Sequence, residues 1–381
     1  MSARGCKTFE IGGRRIGEGR TFVIAEVGTN HDGSLAKAKE MIGIAAECGA
    51  DAVKFQSFRA EECYPPNIGV VDVPGGAVDF FEFMRSREMP DEWLPGLKKA
   101  ADSAGILFIS TPFHVGAVAR LKECGVPAFK VASAEVTHFP LLEAMARAGL
   151  PVILSTGFST LAEIDEAVRF LRENGGGEIM LLQCVGVYPA PAEACNLRVM
   201  ETLRLAFGLP AGLSDHTMDF WDVGRLAAAL GGCAIEKHFT TSRKLKGADH
   251  SFAAEPRELK RMIAGIREVD SWPESRKREF AAEERFEKIL GCSAKGVAPL
   301  EKDIYPCEKR SIRARRDIAA GEVLTAKSVG VLRFTRNGKQ GISPRYFAML
   351  VAERPVRAAR AIRQGDGVTW EDLIGSEDEQ R

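Results

Sequence analysis

Two imidazoles and two ammonium groups carry the first chemical suggestion. His216 lies in LPAGLSDHT (209–217) and His238 in CAIEKHFT (233–240). Two neutral imidazoles brought together, with Glu26 or Asp249 and water, suit Mn²⁺ or another divalent ion. Lys54 and Lys130 each follow an apolar residue. An ammonium in that setting needs a counter-charge, because burying it unpaired is costly. A bound phosphate or carboxylate would supply one, and so would a Lys–Glu pair with Glu26 or Glu135. No Walker or Rossmann phosphate loop is present, and no activated Ser or Cys nucleophile. The residues point to metal-assisted chemistry on a small anionic substrate.

Such groups need a scaffold that gathers them. Eight short apolar runs recur: 22–28, 52–58, 106–113, 128–133, 151–157, 178–186, 209–217 and 233–240. Amphipathic helical patterns separate them, among them TLAEIDEAVRFLREN. That helix opens at Ser159 or Thr160 with Glu163 in capping-box position, and stops at Asn174 before three glycines. Most runs start 22–31 residues apart, the size of one βα unit, with a long excursion at 59–90. Continuous apolar runs fit parallel strands covered on both faces. Eight units in about 270 residues predict an α/β fold, a (β/α)₈ TIM barrel; a doubly wound open sheet is the alternative.

A barrel of this kind works at the C-terminal ends of its strands. There the sequence offers Glu26, Asn30 and His31, then Lys54 and Gln56, then Ser110 and Thr111. Lys130, Ser133 and Glu135 follow, then Ser155 and Thr156, Tyr188, and Ser214, Asp215 and His216. The eighth run adds Glu236 and His238. Glu236 alternates with Lys237 along its strand and reads as structural.

The 381 residues suggest about two domains. Residues 1–272 read as the barrel, 273–309 as a charged linker, and 310–375 as a small β-rich domain. The last contains a repeat: 313–329 aligns with 357–373, with six of 17 positions identical. Net charge over the chain is zero, but residues 310–363 carry +10. That segment is a solvated basic face or a lid over an anionic ligand; aromatics are sparse and no RNA-binding signature occurs. Nine scattered cysteines without a CxxC favour reduced thiols over disulfides or zinc. No secretory signal or membrane span is evident, so a cytoplasmic protein without nucleic-acid or membrane partners is expected.

The motifs AEVGTNHDG (25–33), DAVKFQSF (51–58), KVASAE (130–135), YPAP (188–191), GLSDHT (212–217), EKHFT (236–240) and GADHSFAAEP (247–256) occur in this order. Together they resemble the sialic-acid (N-acetylneuraminate) synthase family of nonulosonate synthases. The repeat-bearing tail resembles that family's SAF, or antifreeze-like, β-clip domain. The resemblance spans roughly Thr21 to Ile374. It implies condensation of phosphoenolpyruvate with the open-chain aldehyde of an N-acylated mannosamine-type sugar, giving a nine-carbon 2-keto-3-deoxy acid and phosphate. By the same resemblance His216 and His238 hold Mn²⁺, or Mg²⁺ or Co²⁺. Glu26 and Glu135 handle protons and stabilise the cationic centre. Lys54, Gln56, Thr111, Lys130, Ser133 and Ser214 receive phosphoenolpyruvate. Tyr188, Asp249 and Arg333 receive the sugar, Arg333 at its N-acyl group from the tail of the other subunit in a swapped homodimer.

Three places depart from the family pattern, and all face the sugar. Gly186 stands where relatives carry a polar residue, FTRNGKQGISP after Arg333 makes Arg336 a rival for the acyl contact, and the 59–90 excursion does not align. The condensation is therefore expected to be intact, while the acceptor stays open. The competing readings are the same condensation on a different aldehyde, and a non-catalytic binding protein on an inherited barrel.

Overall fold

The computed structural model describes residues 7–73, 76–334, 339–352 and 355–374. Eight parallel strands close into a barrel in chain order: β1 (Phe22–Gly28), β2 (Ala52–Ser57), β3 (Leu107–Pro112), β4 (Phe129–Val131), β5 (Val152–Ser155), β6 (Ile179–Cys184), β7 (Ala211–Asp215) and β8 (Ala234–His238). They are the eight apolar runs. Because β8 pairs back onto β1, no open edge remains and the doubly wound alternative falls.

A main helix follows each strand: α1 (Leu35–Glu47), α2 (Leu94–Ser103), α3 (Val115–Glu123), α4 (Phe139–Ala148), α5 (Leu161–Glu173), α6 (Val199–Phe207), α7 (Asp222–Ala229) and α8 (Pro256–Asp270). Helix α5 starts where its sequence says. Thr160 caps it, Glu163 completes the capping box, and Asn174 ends it. None of the helices among the described residues is long and apolar enough to cross a membrane.

Strand alternation decides what the barrel encloses. In β1, Val23, Ala25 and Val27 join the cluster that packs against the helices, whereas Phe22 and Ile24 join the inner one. The inner cluster also holds Ala52, Ile109, Ala128, Ile153, Met180, Leu182 and Ala234. An N-terminal hairpin, Phe9–Ile11 with Arg14–Ile16, adds the fully buried Ile11 and Ile16 to it. The barrel floor is thus apolar and plugged. Two residues further along, the inward positions of most strands turn polar, as at Glu26, Lys54, Thr111, Lys130, Ser155 and Glu236, so the chemistry is confined to the other end.

The stretch expected as a linker is packed instead. Phe280, on a helix at Glu274–Ala281, stacks edge-on between Trp272 and Phe286, and all three belong to the barrel core. The Arg225 guanidinium lies on the Phe280 ring at 4.9 Å. The charged composition hid this because the apolar residues are few and widely spaced, yet all face one side. The chain then crosses the barrel mouth.

The C-terminal unit pairs Ser311–Ala314 with Val329–Leu332, and Arg357–Ala358 with Leu373–Ile374. Its two repeats make reciprocal bonds. Ile318 and Ile362 exchange both backbone hydrogen bonds at 2.9 Å. Arg313 donates to the Gly365 carbonyl and Arg357 to the Gly321 carbonyl, each at 2.8 Å. Counterpart residues, 44 apart, repeat one another's bonds: Arg315 N–H to the Ser328 carbonyl, and Ala359 N–H to the Asp372 carbonyl.

The unit rests on the C-terminal face of its own chain's barrel, and the 59–90 excursion is its seat. A helical turn at Ala60–Cys63 and a cluster of Phe58, Cys63, Tyr64, Ile68 and Phe81 build that seat. Arg333 N–H donates to the Cys63 carbonyl at 2.9 Å, and Arg315 pairs with Glu62 at 2.6 Å.

Candidate active site

The polar inward positions open into one cavity of about 650 Å³. At its base Lys54 Nζ lies 2.9 Å from Glu26 Oε2 and 3.5 Å from Glu236 Oε1, and donates to Thr111 Oγ1 at 3.1 Å. Lys130 Nζ donates to Ser155 Oγ at 2.7 Å and lies 3.8 Å from Glu236 Oε2. Ser214 donates to Glu236, and Gln56 to Glu26 at 2.9 Å. Burial disfavours both ammonium ions. At Lys54 the carboxylates Glu236 and Glu26 outweigh it and raise the pKa. At Lys130 burial prevails over Glu236, and the pKa falls. Both possibilities raised by the sequence are therefore joined: the lysines carry internal counter-ions and still face a cavity that could take an anion.

Glu236 is a central residue of this base, against the reading of it as structural. The signal was available. Residues two apart share a strand face, and His238 was already placed inward. Lys237, on the other face, pairs with Asp215 at 2.8 Å outside the barrel.

His216 and His238 stand beside this base, with ring centroids 5.8 Å apart. Tyr188 stacks on His216 at 4.0 Å and meets His238 edge-on. His216 Nδ1 is 2.8 Å from the Val185 carbonyl, which assigns the proton to Nδ1 and leaves the Nε2 lone pair free. Burial pushes His216 down to about 4 and also lowers His238, so both are neutral at pH 7, the form that binds metal. His238 Nδ1 is buried without a hydrogen-bond partner. Among the described residues no three His, Cys, Asp or Glu side chains converge as a metal site. The donors present therefore fit an ion held by two imidazoles, with its other positions left to substrate and water.

Asp249 lines the same wall, its Oδ2 accepting from the Thr29 N–H and hydroxyl, both at 2.9 Å. A Cβ at Gly28, where φ is +55°, would come within 2.5 Å of that oxygen, so glycine is needed there. The Asp249 loop is anchored by His250, which bonds Asp32 at 3.0 Å and Thr240 at 2.6 Å. Asn30 and His31 serve the loops rather than the cavity: Asn30 donates to the Phe239 carbonyl, and His31 Nδ1 accepts the Gly33 N–H. Ser133 reaches the cavity and accepts the Gly157 N–H at 2.9 Å.

Glu135 does not fit a proton-handling role. It lies behind the cavity wall, 2.7 Å from Arg310 Nε and 2.9 Å from Arg333 Nη2. Burial would raise its pKa, but Arg310 and Arg333 hold it down at about 2. It is a fixed anion that orients two guanidinium groups. Arg333 lines the cavity and also pairs with Glu308 at 3.0 Å. Arg336 lies outside the described residues.

The Gly186 departure has a steric cause. A Cβ there would lie 1.9 Å from the Phe158 ring. The Gly186 N–H donates to Glu301 at 2.6 Å, and the Phe158 N–H to the same carboxylate oxygen at 3.0 Å. Glu301, Asp303 and Glu308 come from the stretch read as a linker, where no sequence signal marked them; Arg310 was likewise passed over.

Residues 41–277 match the NeuB family, and residues 309–374 match the SAF domain. The spore coat polysaccharide biosynthesis protein SpsE of Bacillus subtilis is 38% identical over 369 residues, covering 96% of this chain and 97% of that one. Its crystal structure matches with a TM-score of 0.83, over 97% of this chain and 99% of that one. The N,N'-diacetyllegionaminic acid synthase of Campylobacter jejuni is 34% identical over 351 residues, 91% of this chain and 99% of that one.

Proposed function

The chain belongs to the NeuB family, and from that premise we propose that it is a phosphoenolpyruvate-dependent nonulosonic acid synthase. It condenses phosphoenolpyruvate with the open-chain aldehyde of N-acetylmannosamine or a related N-acylated hexose. The observation that carries this reading is the pair of buried lysines beside the pair of neutral imidazoles in one cavity.

Lys54, Lys130, Thr111, Ser133 and Ser214 receive the carboxylate and phosphate of phosphoenolpyruvate, exchanging internal counter-ions for substrate ones. Gln56, Tyr188 and Asp249 orient the sugar hydroxyls, and Arg333 the N-acyl group. His216 and His238 would hold a divalent ion, Mn²⁺ or else Mg²⁺ or Co²⁺, which when bound supplies Lewis-acid polarisation of the aldehyde. C3 of phosphoenolpyruvate attacks the aldehyde carbon, and cationic character develops at C2. Glu26 and Glu236 face that centre, and Glu26 accepts one proton of the water that adds to C2 and passes it to the oxygen of the former aldehyde, while the other leaves with phosphate. Cleavage of the C2–O bond then releases phosphate. The cavity's cover excludes bulk water from the cationic stage.

The C-terminal unit sits on its own barrel, whereas the resemblance implies a homodimer in which it covers a partner's. Exchange of the unit between two copies would rebuild the Arg333–Glu135 and Arg310–Glu135 pairs across subunits. Light scattering distinguishes the two arrangements. We assign the protein to the cytoplasm, in keeping with the absence of disulfides among the described cysteines.

The test is phosphate release from phosphoenolpyruvate with Mn²⁺ against a panel of N-acylated sugars. Release that requires one sugar and is lost in His216→Ala supports the synthase. Folded protein that neither binds phosphoenolpyruvate nor releases phosphate with any sugar overturns it.

A further inference from the structure

We infer that residues 298–308, the segment between the two matched units, select the acceptor, and that they select an uncharged sugar over a phosphorylated one. The inference rests on the synthase reading above and decides a property that reading leaves open.

The cavity has two unlike ends. Its base holds Lys54 and Lys130, the cations assigned to phosphoenolpyruvate. Its outer part is walled by Tyr64 and Met84 from the excursion, by Phe158, and by Leu300 and Ile304 from the crossing segment. The charged lining residues there are Asp303, Glu308 and Arg333. Arg333 already spans Glu308 and Glu135, at 3.0 and 2.9 Å. Among the described residues that line it, the outer part therefore presents no uncommitted cation, and it presents the exposed Asp303 carboxylate. A terminal phosphate needs charge-assisted donors, such as Arg or Lys, to replace its hydration. Here it would meet apolar rings and like charge. A methyl or acetamido group in the same place would meet surface of its own kind.

The segment is a fixed wall. Glu301 is only 1% exposed and accepts N–H bonds from Gly186, Phe158 and Ala298, at 2.6, 3.0 and 2.8 Å. Tyr305 donates to Glu163 at 2.9 Å, and Lys309 pairs with that carboxylate at 3.2 Å. These anchors hold Leu300, Asp303 and Ile304 in place before any sugar arrives. The acceptor preference is thus built in rather than induced.

The experiment uses the full chain with Mn²⁺ and phosphoenolpyruvate, following phosphate release with three acceptors. These are N-acetylmannosamine, its 6-phosphate and 2,4-diacetamido-2,4,6-trideoxymannose. One uncharged sugar is expected to exceed the 6-phosphate in kcat/KM by at least about tenfold, ~1.4 kcal/mol of discrimination. Asp303→Lys is expected to shift that ratio toward the 6-phosphate by about tenfold. Leu300→Lys, at a half-exposed site on the same wall, is the second variant should the first not fold. Equal or better use of the 6-phosphate overturns the inference while the synthase reading stands. So does an unchanged ratio in a variant that melts like the parent. Folded protein that neither binds phosphoenolpyruvate nor releases phosphate with any of the three sugars overturns both.

Discussion

Arg310 Nε and Glu135 Oε2 lie 2.7 Å apart, and neither side chain exposes any surface. Glu135 belongs to the barrel and Arg310 opens the C-terminal unit, so this pair is the dry joint between them. Removing one partner of a buried ion pair costs about 3–5 kcal/mol, because the other charge is left uncompensated. Glu135→Ala should lower the unfolding free energy by that order in a urea titration. Glu135→Gln keeps a hydrogen-bond acceptor and should cost less. In steady-state kinetics its effect should fall mainly on the KM of the sugar, through a displaced Arg333. A loss confined to kcat would return Glu135 to proton transfer.

Restoring a polar side chain at position 186 will not by itself restore a polar contact. Gly186→Asn drives its Cβ into the Phe158 ring. Overpacking of this kind costs about 1–3 kcal/mol. The melting temperature should fall, and Gly186→Asn combined with Phe158→Ala should recover part of it. Recovery would identify the ring as the obstacle.

His138 caps α4, its Nδ1 accepting the Leu141 N–H. Burial, reinforced by Arg310, holds its pKa at about 3 against an ordinary 6.5. The unfolded chain therefore binds a proton between pH 6.5 and about 3 that the folded chain refuses, and stability falls as pH falls through that window. The slope from this group alone is at most about 1.4 kcal/mol per pH unit. His138→Asn keeps a capping acceptor and should flatten the difference in stability between pH 6.5 and 4, read by denaturant titration at each pH.

Chelation should abolish phosphate release, and added Mn²⁺ should restore it. In His216→Ala the loss should exceed about 100-fold and resist added metal, each tenfold corresponding to about 1.4 kcal/mol of transition-state stabilisation. Isothermal titration with Mn²⁺ alone would report the same change without turnover. Retained Mn²⁺ affinity in the variant would remove His216 from the site.

The barrel was legible because its strands are apolar runs at mostly regular spacing, and α5 because its capping box is written in Thr160 and Glu163. Much of the site was legible from the barrel rule, since Lys130, His216 and His238 lie at or next to the C-terminal ends of their strands, while Lys54 lies midway along β2. Glu236 was misjudged although parity with His238 fixed it inward. The setting of Glu135 was not legible because its partners, Arg310 and Arg333, arrive from 175 and 198 residues away, and no local pattern announces a long-range pair. The crossing segment was read as part of a linker for the same reason: Glu301 looks like any surface glutamate until Gly186 and Phe158 turn their N–H groups toward it.

The reciprocal bonds inside the C-terminal unit have a consequence for how it tolerates change. Its two copies hold each other's shape, and each touches the excursion: Arg315 of the first pairs with Glu62, and the Gln364 carbonyl of the second accepts from Asn67 at 2.8 Å. Where Arg315 grips Glu62, the second copy has Ala359. The two halves of the duplication grip the barrel by different means, one through a charged side chain and the other through its backbone. A substitution at Arg315 should therefore remove an ionic grip on the excursion, whereas one at Ala359 leaves both grips in place.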